Sequence, residues 1–293
     1  MSERLSANAF AATLLPLNQR IQYVQSEKWI PYPLAGEVFA ALDNLLSYPK
    51  CNRMPNMLLI GDSNSGKTSL IKEFLRNYPS FENEETQSIE IPVFFMQAPP
   101  VPDEGRFYDE ILYQLFQPVS KVEKPSNKEK TVLRLLESIG TKMLIIDEIH
   151  NIISGSVARK QAFLNAIKNL GNNLRIPIVG VGTKAALGAM RSDDQMSNRF
   201  PHVELVKWTF NEDYLSLLES FEYILPFKQA SGLSDEEIAR DLLYMSEGSL
   251  GELAMVIETA AVYALRKGRE NIDRDILKKI RWTLPSRRHI SRV

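Results

Sequence analysis

Cysteine is almost missing from this chain: Cys51 is the only one in 293 residues. No intrachain disulfide and no cysteine metal cluster can therefore form, which suits a reducing compartment. Histidine is nearly as scarce, and His150, His202 and His289 offer no zinc-ligand spacing. Long hydrophobic runs are missing too. The apolar stretch at residues 7–15 is too short and too weakly flanked for a membrane span or a secretory signal. Charge of one sign is not in excess, with 35 basic residues against 36 acidic ones and a net charge of -1. That balance neither demands nor excludes a nucleic-acid partner, since a basic surface can be local. No internal repeat or low-complexity tract interrupts the sequence. The expectation is a soluble, cytoplasmic protein with no membrane partner and with ample length for a core.

What is present is more specific. Gly61, Asp62, Ser63, Asn64, Ser65, Gly66, Lys67 and Thr68 fill every fixed position of G-x-x-x-x-G-K-[ST], the phosphate-binding P-loop pattern. Glycines let backbone N–H groups curl around phosphates, Lys67 places a point charge on the β and γ groups, and Thr68 is left to hold Mg²⁺. The flanks fit. Met57–Ile60 is a short apolar run that reads as a buried strand, and the stretch from Ser69 to Arg76 reads as a helix whose N-terminus completes the anion site. The expected cofactors are ATP and Mg²⁺.

A second element narrows the reading. Lys142-Met143-Leu144-Ile145-Ile146-Asp147-Glu148 is an apolar run ending in two carboxylates, the form of a Walker B strand. Asp147 would hold Mg²⁺ with Thr68, and Glu148 would polarise the attacking water. The plain alternative is a strand end with solvated acids. The P-loop upstream and a further candidate strand between them favour a hydrolytic site.

Along the chain, residues 1–50 read as an arm followed by a helix, with apolar side chains from Glu37 to Leu46 at helical spacing. Residues 51–206 alternate strands with helical patterns, the strands falling near 57–60, 91–96, 143–147, 176–182 and 203–206. That pattern predicts an α/β domain, a five-stranded parallel sheet covered by helices on both faces. Phe81–Gln87 reads as an acidic solvated loop, and Gln117–Lys128 as a polar, lysine-bearing insertion. Residues 207–280 turn helical, a small lid domain, and 281–293 form a basic tail.

These motifs carry a resemblance. The chain resembles AAA+ ATPases, and within them the TniB and TnsC group of transposition ATPases. The similarity runs through Lys28-Trp29-Ile30-Pro31-Tyr32-Pro33, Arg53 to Thr68, Met143 to Glu148 and Ile176 to Thr183. The resemblance implies a homo-oligomer, a ring or helical filament, that assembles on double-stranded DNA in an ATP-dependent way. It also implies that this oligomer connects target DNA to a DDE transposase of the TniA or TnsB type and to a TniQ-type adaptor.

The resemblance also assigns positions. Thr183 stands where a sensor 1 hydroxyl would orient water or read the γ-phosphate; its plain alternative is a loop hydroxyl after a strand. Arg199, in Ser197-Asn198-Arg199-Phe200, looks like an arginine finger for a neighbouring subunit's γ-phosphate, with Arg191 as its rival. Glu252 stands where a basic sensor 2 residue is expected, and a carboxylate there would repel phosphates. Either the alignment is shifted, another group such as Arg240 or Lys267 substitutes, or nucleotide sensing through the lid is weaker than in relatives; no sensor 2 residue is assigned. Arg106, Ser120, Lys121 and Lys124 correspond loosely to pore-side loops that touch the DNA backbone, against the alternative of a solvated loop. The tail from Lys278 to Arg292 offers a second basic surface for DNA or an acidic partner.

Other readings share some of these features. Asp147-Glu148-Ile149-His150 matches the D-E-x-H form of helicases, but the length after it cannot house a second sheet domain. A helicase-loader or origin-type ATPase, or a nucleotide-switched scaffold without DNA, would carry the same phosphate chemistry. A small-molecule kinase would need an acceptor-site motif that is not evident.

Overall fold

The computed structural model describes residues 4–85, 87–120, 122–191 and 199–288. Three apolar pentapeptides, β1 (Met57–Gly61), β5 (Met143–Asp147) and β6 (Ile178–Gly182), are buried at every position. Strands buried on both faces belong in the middle of a sheet covered by helices. They sit there: the order is β4-β5-β6-β1-β7, all pairings parallel, with the partly exposed β4 (Val93–Gln97) and β7 (His202–Leu205) at the edges. The five strands fall within two residues of the bounds expected from the sequence.

The chain divides into two units. One comprises Glu37–Ser63 and Lys67–Leu205, and holds the sheet. Its core joins Leu58, Ile60, Phe94, Met96, Leu144 and Ile146 from the strands to side chains of the covering helices. Among those helices, α5 (Glu104–Gln114) supplies Phe107 and Ile111, α6 (Pro125–Ser138) supplies Val132 and Leu136, and α7 (Val157–Leu174) supplies Phe163 and Ile167. Each aliphatic or aromatic side chain so buried contributes about 1.5–3 kcal/mol.

The other unit comprises Met1–Gly36, Asn64–Gly66 and Val206–Val293. Four helices, Glu212–Ile224, Glu236–Ser246, Leu250–Arg266 and Arg274–Lys279, close on a core that includes Tyr214, Leu218, Leu242, Val256 and Ala260. Their starts are fixed locally. Asn211 and Asp273 accept hydrogen bonds from the backbone N–H groups of Tyr214 and Ile276, each at 2.9 Å.

Three local expectations are corrected. The arm carries two helices of its own, α1 (Ala7–Thr13) and α2 (Leu17–Gln25). Arg20 pins α2 to the later chain: its guanidinium donates to Glu270 Oε1 at 2.9 Å and Oε2 at 2.6 Å, and to the Pro226 carbonyl. Both helices are short, so tertiary contact rather than local pattern sustains them. The acidic stretch after Phe81 is no plain loop, because β2 (Phe81–Asn83) pairs antiparallel with β3 (Ser88–Glu90). Each strand is three residues long and leaves Phe81 and Ile89 exposed, so no hydrophobic alternation announced it. The lysine-bearing insertion ends early as well. Pro125 opens α6, where its fixed φ suits a first helical turn, and Lys128 is buried in an ion pair with Asp109 at 2.5 Å.

Candidate functional site

Because the sheet is parallel, β1, β5 and β6 all end at one edge, which brings Gly61, Asp147 and Gly182 to the same side. There the chain turns into helices whose N-termini present free N–H groups. The helix α4 (Lys67–Asn77) begins within the phosphate-type loop itself. Thr68 Oγ1 donates to Asp147 Oδ2 at 2.8 Å, and Asp147 Oδ1 accepts the backbone N–H of Glu148 at 2.8 Å. Asp147 is 1% exposed. A hydroxyl and a buried carboxylate from distant parts of the sequence thus meet as a pair of hard oxygen ligands, a donor set that suits Mg²⁺.

Lys67 is buried, with Nζ donating to the carbonyls of Gly61 at 3.0 Å and Asp62 at 2.7 Å. Burial lowers its pKa, while the carboxylates of Asp147, Glu148 and Asp62 act the other way. The loop thus encloses a cation at the head of a helix, and a phosphate group fits that charge and those donors.

Glu148 follows Asp147 in the left-handed region, at φ 55 and ψ 31. A non-glycine residue there costs about 1–2 kcal/mol, a strain that turns the chain at once into the 3-10 segment Ile149–Ser154. The turn leaves the Glu148 side chain 43% exposed, with Oε2 3.2 Å from His150 Nε2. His150 therefore touches the second acid of the motif and is a neighbour that the sequence motif placed nearby without assigning a contact. Thr183 follows directly on β6, half-buried, and its carbonyl accepts the N–H of Ala186 as α8 (Lys184–Arg191) begins. Lys184 pairs with Glu204 at 2.6 Å, and hydrogen bonding to that carboxylate raises the lysine pKa. Nothing in the sequence marked this pair.

Arg199 lies at the other edge of the sheet. It shares a cleft with Met54 and Asn56, which lead into β1, and with Asn172 in the last turn of α7, and its Nη1 donates to Asn172 Oδ1 at 3.2 Å. It is not brought together with Lys67, Thr68 or Asp147. The side chain of its rival Arg191 lies outside the described residues, as do Lys121, Ser197 and Asn198. Arg106 is exposed in the first turn of α5, Ser120 is exposed ahead of α6, and Lys124 is exposed at the α6 N-cap. The same stretch exposes Tyr113, Phe116 and Val122, a hydrophobic character that reading for lysines had passed over.

The middle of the loop, Asn64–Gly66, belongs to the helical unit. Asn64 adopts φ 63 and Gly66 φ 88, and a Cβ on Gly66 would meet Leu250 Cδ2 at 3.0 Å. The positive φ favours glycine there, and a Cβ would also press on the Leu250 methyl. Glu252, the residue found where a basic one was expected, is buried and accepts Asn64 Nδ2 at 3.0 Å. Arg240 and Lys267 do not substitute for it: Arg240 pairs with Glu236 over the Phe210 ring, and Lys267 lies over Tyr263. The cation beside Glu252 is Arg288.

A five-stranded parallel sheet with this loop, and a helical C-terminal region, define the AAA+ fold. Solved structures agree at low identity. The Aeropyrum pernix ORC2 protein in its ADPNP-ADP complexes superposes with a TM-score of 0.61 at 16% identity, covering 88% of this chain and 70% of that one. The Aeropyrum pernix ORC1 protein in complex with DNA gives 0.61 at 16%, covering 88% and 67%. The Thermotoga maritima RuvB Holliday junction branch migration motor gives 0.52 at 15%, covering 88% and 72%. Over residues 20–210 the sequence matches the family described as Bacterial TniB protein, and the chain belongs to that family. No curated protein sequence matches it. Among the described residues, no single helix is long and apolar enough to cross a membrane.

Proposed function

We propose that this chain is an ATP-hydrolysing assembly protein of DNA transposition. The observation that carries the reading is the Thr68–Asp147 hydrogen bond beside buried Lys67, in a chain of the TniB family. Residues 61–69 cradle the triphosphate, Lys67 takes the β and γ groups, and Thr68 with Asp147 would hold Mg²⁺. That ion, when bound, supplies charge neutralisation on the phosphates. Glu148 accepts a proton from the attacking water, and Thr183 orients that water. Arg199 supplies positive charge to the site of an adjacent copy.

In this reading nucleotide orders the interfaces of a homo-oligomer on duplex DNA, with Arg106, Ser120, Lys121 and Lys124 contacting phosphates. Residues 51–206 act as the ATPase domain and 207–280 as its lid. The oligomer then serves a DDE transposase and a TniQ-type adaptor, and hydrolysis disassembles it. ATPase assays with and without duplex DNA, joined to electron microscopy with a non-hydrolysable analogue, test this. Rings or filaments on DNA are expected, and DNA-insensitive turnover without assemblies overturns the proposal. The likeness to ORC proteins favours a second reading, an origin-type or helicase-loading ATPase. Preference for single-stranded DNA and binding to a replicative helicase would select it.

A further inference from the structure

The helix Leu250–Arg266 starts against the middle of the phosphate-type loop. The Asn64 carbonyl accepts the N–H of Gly251 at 2.9 Å and the hydroxyl of Ser249 at 2.9 Å. On the side-chain side, Asn64 Nδ2 donates to Glu252 Oε1 at 3.0 Å. A Cβ on Gly251 would fall 2.0 Å from Asn64 Oδ1, so glycine at the helix start is what leaves room for this side chain where it sits. The fit creates an electrostatic conflict. Glu252 is 8% exposed, and its negative charge, poorly screened, is one hydrogen bond from a loop built to bind anions.

Arg288 answers that charge. Its Nη1 donates to Glu252 Oε1 at 3.0 Å, and Nη2 lies 2.8 Å from Oε2. Two contacts between a guanidinium and a carboxylate fix the pair in geometry as well as charge. The C-terminal segment is anchored to deliver it. Trp282 Nε1 donates to the Met245 carbonyl at 2.9 Å, and the Arg288 guanidinium stands 4.9 Å from the Trp282 ring. Ser286 donates to Glu247 through its backbone N–H at 3.2 Å and its hydroxyl at 2.5 Å. Those bonds to Ser286 hold the Glu247 pKa below the ordinary carboxylate value. All these groups lie in one unit.

We propose that Arg288 is a positioning residue for nucleotide binding: delivered by the segment Trp282–Arg288, it neutralises Glu252 and keeps that carboxylate as the acceptor for Asn64. The inference rests on reading the loop as a nucleotide site. It assigns a role in phosphate binding to the basic tail, whose sequence suggested only DNA or a partner.

The test uses the full chain and a fluorescent ATP analogue, with wild type, Arg288→Ala, Arg288→Lys, Glu252→Gln and the Arg288→Ala/Glu252→Gln double variant. An uncompensated carboxylate beside the loop should weaken binding in Arg288→Ala by about tenfold. Glu252→Gln, which removes the charge and keeps an acceptor, should bind at least as tightly as wild type. The double variant should recover to within about twofold of Glu252→Gln, because without the carboxylate no charge needs an answer. Arg288→Lys should fall between wild type and Arg288→Ala, since it keeps the charge and loses the fork. A defect that persists in the double variant overturns the inference and makes the segment a mere brace. Unchanged binding in Arg288→Ala overturns it as well. If wild type fails to bind the analogue, the loop reading falls and takes this inference with it; wild-type binding with an inert Arg288 condemns the inference alone.

Discussion

Mixing two inactive variants should restore activity, and the geometry says by how much. Arg199 shares its cleft with Asn56, which precedes β1, whereas the phosphate-type loop begins at Gly61, where β1 ends. At about 3.3 Å per residue the two ends of that strand stand about 16 Å apart. An arginine side chain held by Asn172 does not span that distance and the loop beyond it. Arg199 therefore serves another copy's site or none. Let a fraction p of the protein be Arg199→Ala and the rest Glu148→Gln. A competent site needs Glu148 on one copy and Arg199 on the copy docked against it. Random head-to-tail assembly gives a fraction p(1−p) of such sites, about a quarter of the wild-type number at equal mixing and none at either extreme. The assay is steady-state phosphate release with duplex DNA at fixed total protein across mixing ratios, after pre-incubation long enough for subunits to exchange. A bell centred on equal mixing supports action in trans. A profile that never rises above the straight line between the two pure variants refutes it.

Lys67→Ala should lose nucleotide-dependent DNA binding, since it removes the buried cation proposed to meet the phosphates; undiminished assembly in a filter-binding assay would deny nucleotide control. Glu148→Gln should retain nucleotide, hydrolyse at least about a hundredfold more slowly and leave longer-lived DNA complexes; normal turnover would remove Glu148 as the base. Arg20→Met should lower stability by about 3 kcal/mol, because it strands a three-quarters-buried Glu270 and the Pro226 carbonyl; a urea midpoint within error of wild type would contradict this. The same variant carries a pH signature. Hydrogen bonding from Arg20 holds the Glu270 pKa below its ordinary 4.5, so the contribution is full above that value and is lost as pH falls through the lower folded value. The stability gap between wild type and Arg20→Met should then narrow below pH 4.5, and a gap that widens on acidification would refute the sign.

Why some of this was legible in the sequence follows from where each signal resides. The strands β1, β5 and β6 are buried on both faces, so their sequences must be apolar throughout, and such runs stand out. The loop was legible because its chemistry is local, and Asp147 was legible because a strand end is the one place where a buried run can present an acid to a site. Elements of the opposite kind were lost. The Phe81–Glu90 hairpin buries little, and α1 and α2 hold through Arg20 and Ser6, whose partners Tyr223, Pro226 and Glu270 lie far along the chain. A helix sustained by an ion pair across the chain leaves no periodic trace.

Glu252 shows a different limit. Taken alone it contradicts the chemistry of its surroundings, and a reading by position must either shift the alignment or weaken the function. In the fold the contradiction disappears, because a carboxylate and the arginine that answers it form one electrostatic unit although 36 positions separate them. The substitutes expected from the sequence, Arg240 and Lys267, were sought by charge and by closeness in the lid. What selects Arg288 is the tail's return, fixed by an indole bonded to the Met245 carbonyl and a serine bonded to Glu247. Neither residue type signals a turn back onto a helix, so no periodicity or motif exposes the path. A basic tail is ordinarily read as a surface for nucleic acid because charge is all the sequence displays. Here part of that charge, Arg288, is already committed to a buried acid, while Arg281 and Arg287 stay exposed.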